Sequence, residues 1–238
     1  LVKLIEEAQK NNITLKIAVS NLLQARAAYG VASAKLTPVV SVKGHAERQQ
    51  ASDNSQTLSI IQNYKIKPVE DYAVGLDSSW ELDLWGGIEK GIEAASASED
   101  AELEHYRDVL ITIRAEVAST YINIRVLQIS KELTKQSLAT LKEMLALIES
   151  QYEQGIISKT FLEQERAMYD QNSIQLPDLE MQLVQQYARL AILLSTDTQT
   201  IKKRLSKISS VPRAKPEVAV GIPADLVRRR PDIRQAER

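Results

Sequence analysis

The residues able to do chemistry in this chain are few. Glu81 and Asp83 stand two apart in SSWELDLWGG (78–87), a spacing that puts both carboxylates on one face of an extended strand, where they could act as an acid/base pair. That face is polar throughout, so the pair fits the wet wall of a water-filled lumen better, together with Lys43, His45 and Asp77 on the same type of strand face. His45 and His105 are the only histidines, and neither has an acidic or second histidine partner at ligand spacing, so no metal site is expected. The glycine-containing GGIEKG (86–91) lacks the GK[ST] ending of a phosphate loop. Arg228, Arg229 and Arg230 form a basic run that reads as a solvated linker ahead of a helix. Met144, Met168 and Met181 lie in helical stretches and read as coiled-coil packing rather than as a soft-metal path. No serine has a histidine neighbour, so no triad forms. The expectation is therefore a protein that is not an enzyme, with no catalytic residue, no cofactor and no metal.

Composition narrows the classes further. With 238 residues and 44% hydrophobic content the chain can bury a core. Thirty Lys+Arg against 31 Asp+Glu leave no basic field for nucleic acid. The absence of cysteine excludes disulfides, thiolate metal sites and Cys nucleophiles. No run of about 18 apolar residues exists, so no transmembrane helix is expected, whereas a membrane strand needs only about ten alternating residues.

The elements that must position these residues change period along the chain. LVKLIEEAQKNN and NITLKIAVSNLLQARAAYGVASAKL read as a short and a longer helix, with Asn12 or Thr14 as the cap of the second and Pro38 as its end. PVVSVKGHAER then alternates: Val40, Val42, Gly44 and Ala46 on one face, Ser41, Lys43, His45 and Glu47 on the other. Residues 49–70 read as a long loop. A second alternating run over 72–84 sets Tyr72, Val74, Leu76, Ser78, Trp80, Leu82 and Leu84 against Ala73, Gly75, Asp77, Ser79, Glu81 and Asp83. From Ile88 to Tyr152 there is no proline and the period is helical, enough for a rod of roughly 100 Å. Tyr106, Leu110, Ile113 and Val117, then Leu138, Leu141, Leu145, Ile148 and Tyr152, step like coiled-coil core positions, with the seam interrupted at Lys131 and Thr134. QGIIS (154–158) is a break, with Gly155 ending one helix and Ser158 capping the next. A third long helix is expected from about Lys159 to Leu194, kinked at Pro177, with Phe161, Met168, Leu176, Leu179, Leu183, Tyr187 and Leu190 inward. The fold class expected is mainly α with a β-hairpin. Its parts are helices at 1–37, a strand pair at 38–84, a long helical hairpin at 86–194, an irregular connection at 195–230 and a new helix at 231–238.

A two-stranded hairpin is marginal in water, so its apolar face requires a cover. Lipid is one candidate, with Tyr72, Trp80 and Trp85 near its interfaces and further strands closing a barrel. An ordinary soluble sheet packed on a helix is the other, and alternation alone leaves both open.

SSWELDLWGGIEKGIEAA (78–95), YEQGIIS (152–158), GIPADLVRRRPDIRQAER (221–238) and QARAAYGVASAKLTPVVSVKG (24–44) together resemble the TolC-like outer-membrane efflux channels. The resemblance covers essentially the whole chain. It implies a subunit of two tandem repeats, three subunits to a tunnel, and a membrane β-barrel continued by a periplasmic α-helical barrel. On that reading the chain is the first repeat, cut after GIPADLVRRRPDI leads into a second; Ile233, Arg234 and Ala236 echo Leu15, Lys16 and Ala18. The resemblance also implies a homotrimer that exports small molecules such as drugs from a Gram-negative cell, with a periplasmic adaptor, an inner-membrane pump and the outer-membrane bilayer as partners. Tyr152, Gln154, Gly155 and Ser158 then fall at the hairpin tip that would meet adaptor or pump. The alternative is a soluble periplasmic coiled-coil adaptor or scaffold, and export of proteins or metal ions is a variant of the channel reading.

Overall fold

The computed structural model describes residues 1–50, 67–212 and 229–238. Their order is α1 (Val2–Asn11), α2 (Ile13–Ala34), β1 (Val39–Gln49), β2 (Val69–Ser79), α3 (Gly87–Glu153), α4 (Lys159–Ser173), α5 (Gln175–Leu194), α6 (Thr198–Arg204) and α7 (Pro231–Glu237). The chain is mainly helical with one two-stranded antiparallel sheet. It divides into two compact units, one of residues 1–24 and 98–238, the other of residues 25–97.

The first unit holds the core. Leu4 and Ala8 of α1, one helical turn apart, meet Ile113, Val117, Tyr121 and Ile124 of α3, the inner stripe of α5 from Leu183 to Leu194, and Ile201 and Leu205 around α6. Asn12 joins these parts at the α1–α2 corner. Its Oδ1 accepts the Leu15 N–H (3.1 Å), capping α2, while its Nδ2 donates to the Leu193 carbonyl at the end of α5 (2.9 Å). Asp197 caps α6 by accepting the Thr200 N–H at 3.0 Å.

The long hairpin differs from the sequence expectation in two respects. First, the kink expected at Pro177 appears as a one-residue interruption upstream of it: α4 ends at Ser173, α5 starts at Gln175, and Ile174 between them keeps helical torsions (φ −62°, ψ −28°). Pro177 lacks an N–H and its ring crowds the carbonyl four residues earlier, so the chain restarts the helix with Pro177 in a first turn, where no donor is needed. Second, the inner face of α4 is carried by buried Leu162, whereas Phe161 and Met168 point outward. The Ser158 cap fixes where the helix begins and hence its phase, and the stripe Leu162, Tyr169, Leu176, Leu179, Leu183, Tyr187, Leu190 runs on through the break with helical spacing. Met144, Met168 and Met181 are all exposed, so they pack no seam within this chain. Where the seam is polar, Lys131 of α3 reaches Glu180 of α5 at 2.7 Å, and that ammonium holds the Glu180 carboxyl below its ordinary value.

In the second unit, β1 and β2 pair from Val39↔Ser79 to Gln49↔Val69. Strand β2 is shorter at its C-terminal end than the alternation over 72–84 suggests: it stops at Ser79, and Glu81 and Asp83 lie beyond it. Asp83 instead serves the helix start. Its Oδ2 accepts the Glu89 N–H at 2.8 Å, and this bond, with further ones from the Ile88, Gly87 and Gly86 N–H groups, holds its carboxyl below the ordinary value. An anion at the open N–H end of a 67-residue helix is favourable both for the orphan donors and for the dipole. Gly86, at φ +70°, makes the turn that brings it there.

Candidate functional site

The register of the β ribbon sorts its side chains into two faces. On one, Val40 lies opposite Ser78, Val42 opposite Leu76, Gly44 opposite Val74 and Ala46 opposite Tyr72. These apolar side chains are open: Val74 is 86% and Leu76 80% exposed, and none of the face belongs to the core. At one end the face turns polar, where the Tyr72 hydroxyl donates to Glu70 (3.1 Å) and Arg48 stands 3.8 Å from Glu70. At the other end Trp80 donates its indole N–H to the Leu36 carbonyl (3.2 Å), and Trp85 projects fully. Amphipathic aromatics therefore bracket an oily band.

The opposite face is charged. Lys43 bonds Asp77 diagonally across the strands, and His45 Nε2 lies 3.2 Å from Glu47 and 3.7 Å from Asp71. His45 thus does have acidic neighbours, Glu47 two residues on along its own strand and Asp71 brought in by strand pairing, yet no group of three or more His, Asp or Glu fit to hold a metal occurs among the described residues. Of the five residues expected on this wet face, the ribbon brings together Lys43, His45 and Asp77, and leaves Glu81 and Asp83 past its end. The separation of the second carboxylate into a helix cap removes the acid/base pair as a geometric unit.

Each strand has 11 residues, about 35 Å at the ordinary rise, and tilted by the 35–45° of membrane barrels it would cover about 25 Å of depth. That depth spans the apolar band of such barrels together with the polar end at Arg48 and Glu70. No helix among the described residues is long and apolar enough to cross a membrane.

At the hairpin tip, residues 153–158 form a rigid reversal. Gly155 takes φ +71°, its N–H bonds the Tyr152 carbonyl (2.9 Å), and the Ile156 N–H reaches back to Gln151 (3.0 Å), the paired bonds of a Schellman end. Ser158 Oγ accepts the Phe161 N–H (3.3 Å) to start α4, and Gln154 is tied to Ser150 (3.2 Å). Across the hairpin Arg166 grips Glu149 with two nitrogens, at 3.3 and 2.9 Å. Tyr152, Ile156 and Phe161 are left exposed beside these bonds, so the tip offers apolar and polar groups on a fixed frame.

Sequence reasoning missed a buried polar network. Arg125 lies over the Tyr121 ring (5.0 Å), bonds the carbonyls of Leu205 (3.4 Å) and Lys207 (2.7 Å), and bonds Gln128 (2.8 Å). Gln128 in turn donates to the Tyr187 hydroxyl (2.8 Å) and to the Leu205 carbonyl (2.7 Å). Its signal in the sequence is Arg125 and Gln128 falling on the same helical stripe as Val117 and Ile124.

The profile of the family described as "Outer membrane efflux protein" matches residues 4–196. The chain belongs to the outer membrane efflux protein family. The chain is 33% identical over 241 residues to the solvent efflux pump outer membrane protein SrpC of Pseudomonas putida, covering 100% of this chain and 49% of SrpC. It is 29% identical over 237 residues to the pyoverdine export outer membrane protein OpmQ of Pseudomonas putida, with 100% of this chain and 50% of the relative covered. Among solved structures, the outer-membrane channel OprN superposes with a TM-score of 0.84 at 26% identity over 99% of this chain and 51% of OprN. The Campylobacter jejuni CmeC outer membrane channel, at 22% identity and TM-score 0.83, shares the fold over 99% of this chain and 49% of its own length. The chain spans about half the length of the curated relatives it matches. The family places the efflux protein in the outer membrane of a Gram-negative cell.

Proposed function

We propose that this chain is part of an outer-membrane channel subunit, a passive conduit through which an inner-membrane pump, joined by a periplasmic adaptor, expels small molecules. One observation carries the reading: a ribbon with open Val42, Val74 and Leu76 on one side and the Lys43–Asp77 pair on the other, long enough for a membrane's apolar depth. Two strands leave unpaired edges that lipid does not tolerate, so strands from the rest of the protein and from two further copies would close the barrel as a homotrimer. Lys43, His45 and Asp77 would then face the aqueous lumen, and Glu81 and Asp83 would sit at its rim. The helical hairpin of residues 86–194 would form part of the periplasmic α-barrel, residues 195–230 the equatorial connection, and residues 231–238 the start of a second half. Tyr152, Gln154, Gly155 and Ser158 would offer the rigid tip to the adaptor or pump. Transport would proceed by gating without chemistry: hairpins repack as partners bind the open arrangement more tightly. The relatives' names cover solvents and pyoverdine, and small molecules of this kind are the cargo proposed here.

Fractionation of cells producing the protein tests the reading. Retention in the outer membrane until detergent is added, with conductance after reconstitution, is expected. Release into the soluble fraction without detergent would reject the channel in favour of a periplasmic adaptor or scaffold.

A further inference from the structure

Helix α7 lies along α3 with its charges in step. Arg234 stands 3.5 Å from Glu104 and Arg238 3.4 Å from Asp100, while the charge of Asp108 acts on Arg230, which also holds Asp232 in a two-nitrogen grip (3.1 and 2.7 Å). The bases recur every four residues along α7 and the acids every four along α3, in opposite chain directions, so two successive turns each close one pair. Glu104 is the inner rung. It is only 6% exposed, and besides Arg234 its charge is met by Arg107 at 2.5 Å. A buried carboxylate is costly unless paired, so withdrawing α7 leaves Glu104 with one cation in place of two.

We propose that the acidic face Asp100–Glu104 of α3 is a docking surface for the basic face of α7. Its consequence rests on the channel reading: if α7 opens the second half of the subunit, this ladder seats one half on the other with a contact that salt weakens, because at about 1 M salt the screening length shrinks to roughly 3 Å.

The chain has no cysteine, so Ile111→Cys on α3 and Ala236→Cys on α7 accept nitroxide labels uniquely, and pulsed EPR reads the distance between them. One narrow distance is expected at low salt, broadening at high salt. Asp100→Arg, at the solvent-exposed rung, should lower the docked-to-free ratio roughly fivefold, about what an exposed pair carries, and adding Arg238→Asp should restore it. Arg234→Glu, changed on the α7 side so that the core is untouched, should undock α7 more completely. A distance distribution unmoved by Asp100→Arg, by Arg234→Glu and by salt, or a charge swap that fails to restore docking, overturns the ladder. This test needs no conductance, so its failure is separate from failure of the channel reading.

Discussion

Leu190 and Ile192 stand two residues apart on α5 with nearly the same side-chain volume, and the fold gives them opposite fates. Leu190 is 0% exposed at the centre of the cluster formed by α1, α3, α5 and α6, while Ile192 is 76% exposed. Replacing Leu190 by Ala removes about three methylene equivalents from the core, roughly 2.4 kcal/mol of transfer energy at about 0.8 kcal/mol each. The cavity left among Ile124, Tyr187 and their neighbours raises the total to about 3–5 kcal/mol. For a chain of this size each kcal/mol lowers Tm by roughly 2–4 °C, so Leu190→Ala should cost about 10 °C. Ile192→Ala should shift Tm by no more than about 2 °C, because an exposed side chain loses little on truncation. Both are read by thermal unfolding followed by helical circular dichroism, with light scattering confirming a monomer. Equal losses for the two variants would refute the packing, since they would require Ile192 to be covered within a single chain.

Gly155→Ala should destabilise the hairpin tip by about 1–2 kcal/mol, since φ +71° is costly for any residue with a Cβ; faster amide exchange at 154–158 would register it, and unchanged exchange would contradict the Schellman end. Glu7 is held below its ordinary value chiefly by the two hydrogen bonds from Arg204, at 3.0 and 2.8 Å. Because the folded value is the lower one, this contribution is complete above about pH 4.5 and disappears as pH falls through the folded value; Glu7→Gln should remove that part of the acid dependence in denaturant titrations between pH 7 and 3. Leu76→Arg should cost about 2 kcal/mol or more in membrane insertion, while Asp77→Arg, on the wet face, should insert normally; comparable insertion yields would reject the assignment of faces.

Much of this architecture is legible in the residues. The change of period at Pro38 and again at Gly86–Gly87 marks strands and helices correctly, because side chains alternate in one and recur near every fourth residue in the other. Gly155, Ser158 and Asn12 act as the caps their chemistry suggests. What stayed hidden needs information from outside a local window. Period-two alternation carries on through Glu81 and Asp83, yet the chain there has left the sheet and Asp83 faces helix N–H groups, a role visible only once the start of α3 is placed. The phase of α4 shifts by one residue, from Phe161 to Leu162, because the capping turn sets the origin of the helix rather than the apolar pattern. Asp71 beside His45 and the rungs beneath α7 belong to other segments of the chain, brought close by strand pairing and by helix docking. Residues 51–66 of the long loop expected over 49–70, and residues 213–228 of the connection expected over 195–230, lie outside the described residues.

Single nitroxides placed in turn at residues 40 to 46 and 72 to 77, in the protein reconstituted in a bilayer, measure what surrounds each strand position. Labels at Val42, Val74 and Leu76 should collide with lipid-dissolved oxygen and those at Lys43, Ala73 and Asp77 with a water-soluble nickel complex, alternating at every step. Water access at the Val and Leu positions, or no alternation, would mean that the oily face of the ribbon never meets lipid.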